Sequence, residues 1–435
     1  MSLCLAPFLL EDPRVHDMFP PDAIEKARKY LSPAGFKGGI GAYSDSKGSP
    51  LVREEVARFI EERDGGYREP VSGDNIFLTN GASEAVRMVL RAMIRGPIDG
   101  VMVPVPQYPL YSASVALYDG SFVGYQLDES QVSLSGWKLD LRAMQASLDD
   151  ARAKGICVRG LVFINPGNPT GNCLPVSDLQ ALVRFCHTNS LVLLADEVYQ
   201  ENIYQSKTPF TSARKVVHDM GMPYTKEVEL VSFHTVSKGV YGECGLRGGY
   251  MELLNIDQRT SDELYKICSI NLSPNVPGQL CMGLMVNPPR PGDYSYESYI
   301  AEKDGLLQSL KRRARLITDA FNSLDGVSCE ETEGAMYSFP QIHLPAGAIK
   351  AAQDAGKVPD VFYCLKLLEE TGISTVPGSG FGQKDGTFHF RTTILPSEEK
   401  MVEVVSLFKD FHTRFMAQYG GAAPRGRSMQ PYSRL

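Results

Sequence analysis

A lysine surrounded by hydroxyl groups is the most chemically suggestive residue of the chain. Lys238 follows an apolar run at residues 229–233 and comes directly after Ser237. Thr235 precedes this pair and Arg247 follows it. Hydroxyl groups and an arginine can bind a phosphate, because arginine offers two parallel N–H donors. A lysine whose pKa is lowered by such neighbours can attack an aldehyde. A lone lysine is usually a solvated surface group, but the neighbours of Lys238 argue against that interpretation.

An acidic residue closes a second apolar run. Asp196 follows apolar residues 191–195, and burying its carboxylate without a partner would cost several kcal/mol. One interpretation is that Asp196 caps the N-terminus of a helix. The other is that its carboxylate pairs with a protonated ring nitrogen of a bound cofactor and so keeps that ring able to accept electrons. In the second case Tyr199 could reach the neighbouring ring oxygen.

A third polar segment precedes a helical pattern. The residues Asn-Gly-Ala-Ser at 80–83 lead into apolar residues with helical spacing, from Ala85 to Met93. Ser83 is therefore predicted to open a helix whose free N–H groups and positive dipole end face an anion. Simple N-capping by Ser83 is the other interpretation, and both can hold together. The glycine patterns GxGxxG and GxxxxGK[ST] are absent, which argues against a dinucleotide or nucleoside-triphosphate site.

Buried strands are needed to position these residues. Short, nearly continuous apolar runs occupy residues 75–78, 160–164, 191–195 and 229–233. Such runs are typical of strands that are buried on both faces, as in a parallel sheet covered by helices. Reactive groups collect at the carboxyl ends of such strands, and the polar residues of interest lie at these ends. The sequence therefore predicts an α/β fold.

The length of 435 residues favours two domains. We predict a large domain over residues 45–290 and a smaller α+β domain formed by residues 1–44 and 291–419. A long helix over residues 299–324 would lead into the smaller domain. Residues 420–435 are rich in Gly, Pro, Ser and Arg and are predicted to be a flexible tail.

Composition excludes several classes of function. The net charge of −7 argues against a general surface for nucleic acid or anionic membrane. No apolar run approaches the roughly 18–20 residues that a membrane span requires. The nine cysteines are scattered without a CxxC pair, so neither a disulfide framework nor a metal site is predicted.

The order and spacing of these motifs resemble those of the fold-type I aminotransferases over nearly the whole chain. The matching segments are Asn-Pro-Thr-Gly at 168–171, Asp-Glu-Val-Tyr at 196–199, the Ser-Lys pair before Arg-Gly-Gly at 247–249, and Arg391. The resemblance implies the PLP-transferase fold of type I, with a mostly parallel central sheet in the large domain. It also implies pyridoxal 5'-phosphate (PLP) as the cofactor.

Roles in the site are implied by this resemblance, residue by residue. Lys238 would hold the cofactor as a Schiff base and act as general base, and Asp196 would pair with the pyridinium nitrogen. Tyr199 and Asn168 would hydrogen-bond the 3' oxygen, and Arg391 would bind the substrate α-carboxylate. The remaining cofactor residues would be the ring-stacking Tyr108 and the phosphate ligands Ala82, Ser83, Thr235, Ser237 and Arg247.

A homodimer is also implied, because Tyr43 resembles the tyrosine that reaches the phosphate of the partner subunit. Family members usually carry several dozen residues before the point that matches Met1. Those residues include a glycine-bearing stretch at the mouth of the active site and an arm that packs on the partner.

The resemblance is closest to one branch. Gly-Ala-Met-Tyr-Ser-Phe-Pro at 334–340 resembles the alanine aminotransferases. Leu-Ala-Pro-Phe-Leu-Leu at 5–10 and Ser-Pro-Asn-Val at 273–276 resemble the glutamate–glyoxylate aminotransferases of photorespiratory peroxisomes. The terminal residues Ser433, Arg434 and Leu435 are similar to the Ser-Lys-Leu address read by the peroxisomal import receptor. A peroxisomal enzyme that transfers an amino group from glutamate or alanine to glyoxylate is therefore predicted, with 2-oxoglutarate and pyruvate as further acceptors.

Three alternatives stay open. One is an alanine–2-oxoglutarate aminotransferase of the cytosol or mitochondrion, which would have the same chemistry and a different location. A second is a PLP lyase of the same fold, and a third is a protein that binds PLP or a partner without turnover. The presence of Lys238 and Arg391 argues against the third.

Overall fold

The computed structural model describes residues 1–37, 39–129 and 136–420. The strands are β1 Ile76–Thr79, β2 Asp99–Val105, β3 Ser121–Asp128, β4 Lys138–Leu139, β5 Cys157–Ile164, β6 Val192–Asp196, β7 Leu230–Thr235, β8 Gly249–Leu254, β9 Val327–Ser328, β10 Tyr337–Ser338, β11 Gln341–Ile342, β12 Val376–Pro377 and β13 Phe390–Thr393. The α-helices are Ser2–Leu5, Val15–Met18, Pro21–Leu31, Pro50–Asp64, Ala82–Met93, Leu110–Leu117, Leu141–Ala153, Val176–Asn189, Ala213–Asp219, Tyr224–Glu227, Gln258–Ile270, Val276–Val286, Tyr296–Asn322, Ala346–Asp354, Pro359–Thr371 and Glu398–Tyr419.

An eight-stranded sheet forms the centre of the molecule, in the order β1-β8-β7-β6-β5-β2-β3-β4. The five strands from β7 to β3 run parallel to one another. β8 runs antiparallel to both of its neighbours, and β4 runs antiparallel to β3. The predicted α/β fold with a mostly parallel central sheet is confirmed.

Burial on both faces explains the nearly continuous apolar runs. Every residue of β2 and β7 is buried, because helices cover the two faces of the sheet. One face packs on a core that includes Leu161 and Leu182, and the other on a core that includes Val86 and Val162. The four predicted strands are present with ends shifted by a few residues, as β1, β5, β6 and β7.

A second region lies beyond the central sheet. Its long helix spans Tyr296–Asn322, close to the predicted 299–324, and packs with Glu398–Tyr419 around a separate apolar core. This region also contains the antiparallel sheet β10-β13-β12 and the strand pair β11-β9. The buried apolar residues of the first 36 positions pack on the helices Pro50–Asp64 and Val276–Val286. The predicted division into domains stays a prediction.

Within these described ranges no helix has the length and apolarity needed to cross a membrane.

Candidate active site

A cavity of about 240 Å³ lies where the carboxyl ends of the central strands face the small sheet. Eleven of the predicted site residues line it, namely Ala82, Ser83, Tyr108, Asn168, Asp196, Tyr199, Thr235, Ser237, Lys238, Arg247 and Arg391. A larger cavity of about 980 Å³, beside Trp137 and Glu330, contains none of the predicted residues. We therefore place the candidate active site at the smaller cavity, where the reactive groups converge.

Strand direction explains why residues far apart in sequence meet here. β5, β6 and β7 are parallel neighbours, so Asn168, Asp196 and Lys238 follow or end these strands at one edge of the sheet. β8 runs in the opposite direction, and its first residue pairs with Thr79 at the end of β1 and with Thr235 at the end of β7. Arg247, two residues before β8, is thereby brought to the same edge.

One end of the cavity is suited to an anion. The helix Ala82–Met93 begins there, and the first N–H groups of a helix lack partners within the helix. Arg247 stands beside this helix end and donates from Nη2 to the Asn80 carbonyl at 2.9 Å. Gly81 permits the close approach, because a Cβ there would lie 2.4 Å from Arg247 Nη2.

The helix begins one residue earlier than predicted. Its N-cap residue is Gly81, at φ +83° and without a side chain, so the N-capping interpretation of Ser83 is wrong. Ser83 lies instead in the first turn, where its backbone N–H has no acceptor within the helix. Nearby, the Thr235 hydroxyl donates to the Gly248 carbonyl at 2.7 Å and lies 3.0 Å from Ser237 Oγ, so hydroxyl and amide groups gather beside Arg247.

Asp196 supplies the negative charge of the site. It is 6% exposed, and its Oδ2 accepts a hydrogen bond from the Tyr111 hydroxyl at 2.7 Å. Burial raises the pKa of Asp196, and Tyr111, the Val198 amide and Lys238 offset only part of this effect. The chain after Asp196 continues as a turn, so the helix N-cap interpretation is wrong. A buried carboxylate of this kind favours a cationic partner in the cavity.

Lys238 lies close to Asp196 and to the ring of Tyr199. Its Nζ lies 5.3 Å from the centroid of the Tyr199 ring. The following residue, Gly239, donates its amide to Asn202 Oδ1 at 2.9 Å, which restrains the backbone next to the lysine. Asn202 is fully buried, so this restraint is not exposed to competing water.

The opposite end of the cavity is suited to a carboxylate. Arg391 donates from Nη1 to Asn168 Oδ1 at 3.1 Å, and Asn168 Nδ2 lies 3.5 Å from the Tyr199 hydroxyl. The guanidinium carbon of Arg391 lies 4.1 Å from the Tyr337 ring centroid and 4.8 Å from that of Phe381. Arg391 is therefore fixed on three sides, and its planar fork is suited to a bidentate ligand.

Two predicted features lie outside the cavity. Tyr43 is 78% exposed and does not line it, so its role toward a partner subunit stays a prediction. Ser433, Arg434 and Leu435 lie outside the described residues.

Two tyrosines of the site were missed by sequence reasoning. Tyr111 contacts Asp196, and Tyr337 contacts both Tyr199 and Arg391. Tyr111 lies three residues after Tyr108, and Tyr337 lies within residues 334–340. Only the apolar and aromatic character of these motifs could have signalled them, because their polar contacts join distant parts of the chain.

The arrangement fits a cofactor with an anionic group at one end and a basic ring nitrogen at the other. The anion would lie at Arg247 and the helix end, and the ring nitrogen would face Asp196. Lys238 offers an amine between them, and Arg391 offers a receptor for a substrate carboxylate.

Comparison with known proteins gives consistent matches. Residues 12–408 match the family model described as aminotransferase class I and II. Glutamate–glyoxylate aminotransferase 2 of Arabidopsis thaliana is 60% identical over 96% of this chain and 85% of its own length. Alanine aminotransferase 2 of Panicum miliaceum is 51% identical over the same shares. The solved alanine aminotransferase of Pyrococcus furiosus superposes with a TM-score of 0.73 at 25% identity, over 91% of this chain and 89% of that one.

Proposed function

Because this chain belongs to the class I and II aminotransferase family, we propose that it transfers an amino group from glutamate or alanine to glyoxylate. The observation that carries the proposal is the convergence of Lys238, Asp196 and Arg391 on one cavity. The 60% identity to a relative named glutamate–glyoxylate aminotransferase supports this choice of substrates.

The chain is an aminotransferase, and its cofactor is pyridoxal phosphate. When bound, pyridoxal phosphate supplies an electron sink for the charge that develops on the substrate Cα. Arg247, Ser237, Thr235 and the amides of Ala82 and Ser83 would hold its phosphate. Asp196 would pair with the ring nitrogen, Tyr108 would stack on the ring, and Tyr199 with Asn168 would bind the 3' oxygen.

The chain's own residues would then perform the proton transfer and the positioning. Lys238, as general base, would move the proton from the substrate Cα to the cofactor C4′, so that the substrate could leave as a keto acid. Arg391 would bind the α-carboxylate through two N–H donors, and Asn168 would keep its guanidinium aimed into the cavity. Each keto acid must leave before the next substrate enters the same cavity, so a ping-pong mechanism follows.

The charges of the cavity are compatible with small substrates. Among the described residues that line it, the cationic side chains are those of Lys238, Arg247 and Arg391. Glyoxylate, pyruvate and alanine each need one carboxylate receptor, which Arg391 provides. An alanine–2-oxoglutarate aminotransferase is the second candidate, and the 51% identity to a relative named alanine aminotransferase 2 favours it.

A panel of acceptors tests the choice between these functions. Purified protein should convert glyoxylate with a higher kcat/KM than pyruvate or 2-oxoglutarate, whether glutamate or alanine is the donor. Double-reciprocal plots should be parallel, as a ping-pong mechanism requires. Higher kcat/KM for 2-oxoglutarate with alanine would favour the second candidate. Elimination products without a new amino acid would contradict transamination altogether.

We propose a peroxisomal location on the basis of Ser433, Arg434 and Leu435. A fluorescent reporter that ends in residues 420–435 should accumulate in peroxisomes, because the import receptor reads an exposed terminal tripeptide. The same reporter without the last three residues should stay in the cytosol and serves as the control. A reporter with the complete segment 420–435 that stays diffuse would contradict the proposal and would favour the alanine aminotransferase alternative.

We further propose a homodimer in which Tyr43 reaches the phosphate of the partner subunit.

A further inference from the structure

Tyr337 contacts several reactive groups of the site and has no role in the mechanism given above. It begins β10, and its backbone pairs with Thr393 in β13, the strand that carries Arg391. This pairing fixes the position of Tyr337 relative to Arg391. The Tyr337 ring covers the Arg391 guanidinium at 4.1 Å, and Phe381 covers it at 4.8 Å.

The hydroxyl of Tyr337 points toward the other half of the site. It lies 3.4 Å from the Tyr199 hydroxyl and lines the same cavity as Lys238, whose positive charge acts on it. One side chain therefore spans the distance between the general base and the carboxylate receptor. Its two ends contact different groups, so they can be tested separately.

We propose that Tyr337 is a positioning residue with two separable actions, its hydroxyl setting the protonation of Lys238 and its ring holding Arg391 in place for the substrate carboxylate. The proposal rests on the proposed function of this site. A proton that passes from the Tyr337 hydroxyl to the Lys238 amine breaks one O–H bond and forms one N–H bond. The products are a phenolate beside an ammonium, and the transfer needs no other reactant.

The charges around Tyr337 support the first action. Burial by itself would raise the pKa of Tyr337, but Lys238, Tyr199 and Arg391 together lower it below its ordinary value. These groups face Tyr337 from the loop after β7, the loop after β6 and strand β13. The pKa of Tyr199 is raised well above its ordinary value, chiefly by burial. Of the two adjacent hydroxyls, Tyr337 is therefore the one that loses its proton first.

Two substitutions separate the actions. Tyr337→Phe keeps the ring over Arg391 and removes the hydroxyl, so KM should stay within about threefold while kcat falls by about 10- to 100-fold. The pH profile of kcat should also move by about one unit, because the variant lacks the Tyr337 hydroxyl that titrates in the cavity. Tyr337→Leu should raise KM by a further factor of about 10, because the cation–π contact is lost.

Phe381→Leu is the matched control for the action of the Tyr337 ring on Arg391. It removes the other aromatic face from Arg391 and leaves the Tyr337 hydroxyl in place. KM should rise while the pH profile keeps its position. A purely structural role of Tyr337 would instead give Tyr337→Phe and Phe381→Leu the same effects. An unchanged pH profile in Tyr337→Phe would overturn the first action.

A measurement on the full chain without cofactor is independent of turnover. Ultraviolet difference spectroscopy should show one tyrosinate that forms below the ordinary tyrosine pKa of about 10. That step should be missing in Tyr337→Phe and present in Tyr294→Phe, which removes an exposed tyrosine that does not line the cavity. Absence of the step from the unsubstituted chain would overturn the first action even if Tyr337→Phe failed to fold. Because no substrate is used, this result stands apart from the outcome of the acceptor panel.

Discussion

Lys238→Ala should lower kcat by about 10⁴-fold or more, the largest effect that we expect from any single substitution. A positioned general base alone contributes about 10²- to 10⁴-fold to the rate. The variant would in addition lose the covalent attachment of the cofactor. Single-turnover measurements with alanine as donor should show the loss in the proton-transfer step. Binding of pyridoxal phosphate should survive in part, because Arg247 and the helix end at Ala82 remain.

Two controls make this prediction specific. Lys238→Arg keeps the positive charge beside Tyr199 and cannot act as a base near neutral pH, so it should be as inactive as the alanine variant. Lys226→Ala removes an exposed lysine that does not line the cavity and should leave kcat unchanged. Reduction of the unsubstituted protein with borohydride should attach the cofactor to the peptide that contains Lys238. Attachment to another lysine would refute the assignment.

Asp196→Asn should lower kcat by about 10²- to 10³-fold, the range seen when one charge-stabilising group is removed. The asparagine preserves the shape of the side chain and can still accept the hydrogen bond from Tyr111 at Oδ1. It carries no charge, so it would not keep the ring nitrogen of the cofactor protonated. Substrate affinity should change far less, because Arg391 binds the carboxylate at the other end of the cavity.

Tyr111→Phe is the companion to this substitution. It removes the donor to Asp196 Oδ2 and keeps the negative charge, so kcat should fall by only about 10-fold. The pKa of Tyr111 is raised well above its ordinary value by burial and by Asp196, so its hydroxyl stays protonated and able to donate. Near-normal kcat in Asp196→Asn would assign the pairing with the ring nitrogen to another residue. Equal losses in both variants would show that geometry, and not charge, is what Asp196 provides.

The sequence predicted the parts of the site that depend on local pattern. Apolar runs that end in polar residues predict buried strands, and strands of one direction end at one edge. This reasoning places Asp196 and Lys238 at one edge of the sheet, and the family resemblance adds Asn168. The cavity contains all three. The sequence pattern also predicted the long helix of the second region to within a few residues, because helical periodicity persists over many turns.

Boundaries and caps were less predictable. The helix at residues 82–93 begins at Ala82, after Gly81, where both the positive φ and the close approach of Arg247 favour glycine. Asp196 resembled a helix cap in sequence, but a turn follows it. Short polar segments are compatible with several local structures, and the surrounding packing selects among them.

The sequence alone therefore determined which strands are buried and which reactive residues stand at their ends, because both follow from side-chain patterns within single elements. The tertiary structure decided which residues from other elements meet the reactive residues at these strand ends. The reversed strand β8 brings Arg247 beside the helix end at Ala82, and the small sheet brings Tyr337 across to Tyr199. Tyr111 likewise meets Asp196 only through packing. Such contacts join residues from different elements, so their partners are set by how the elements pack and leave no periodic signal in the chain.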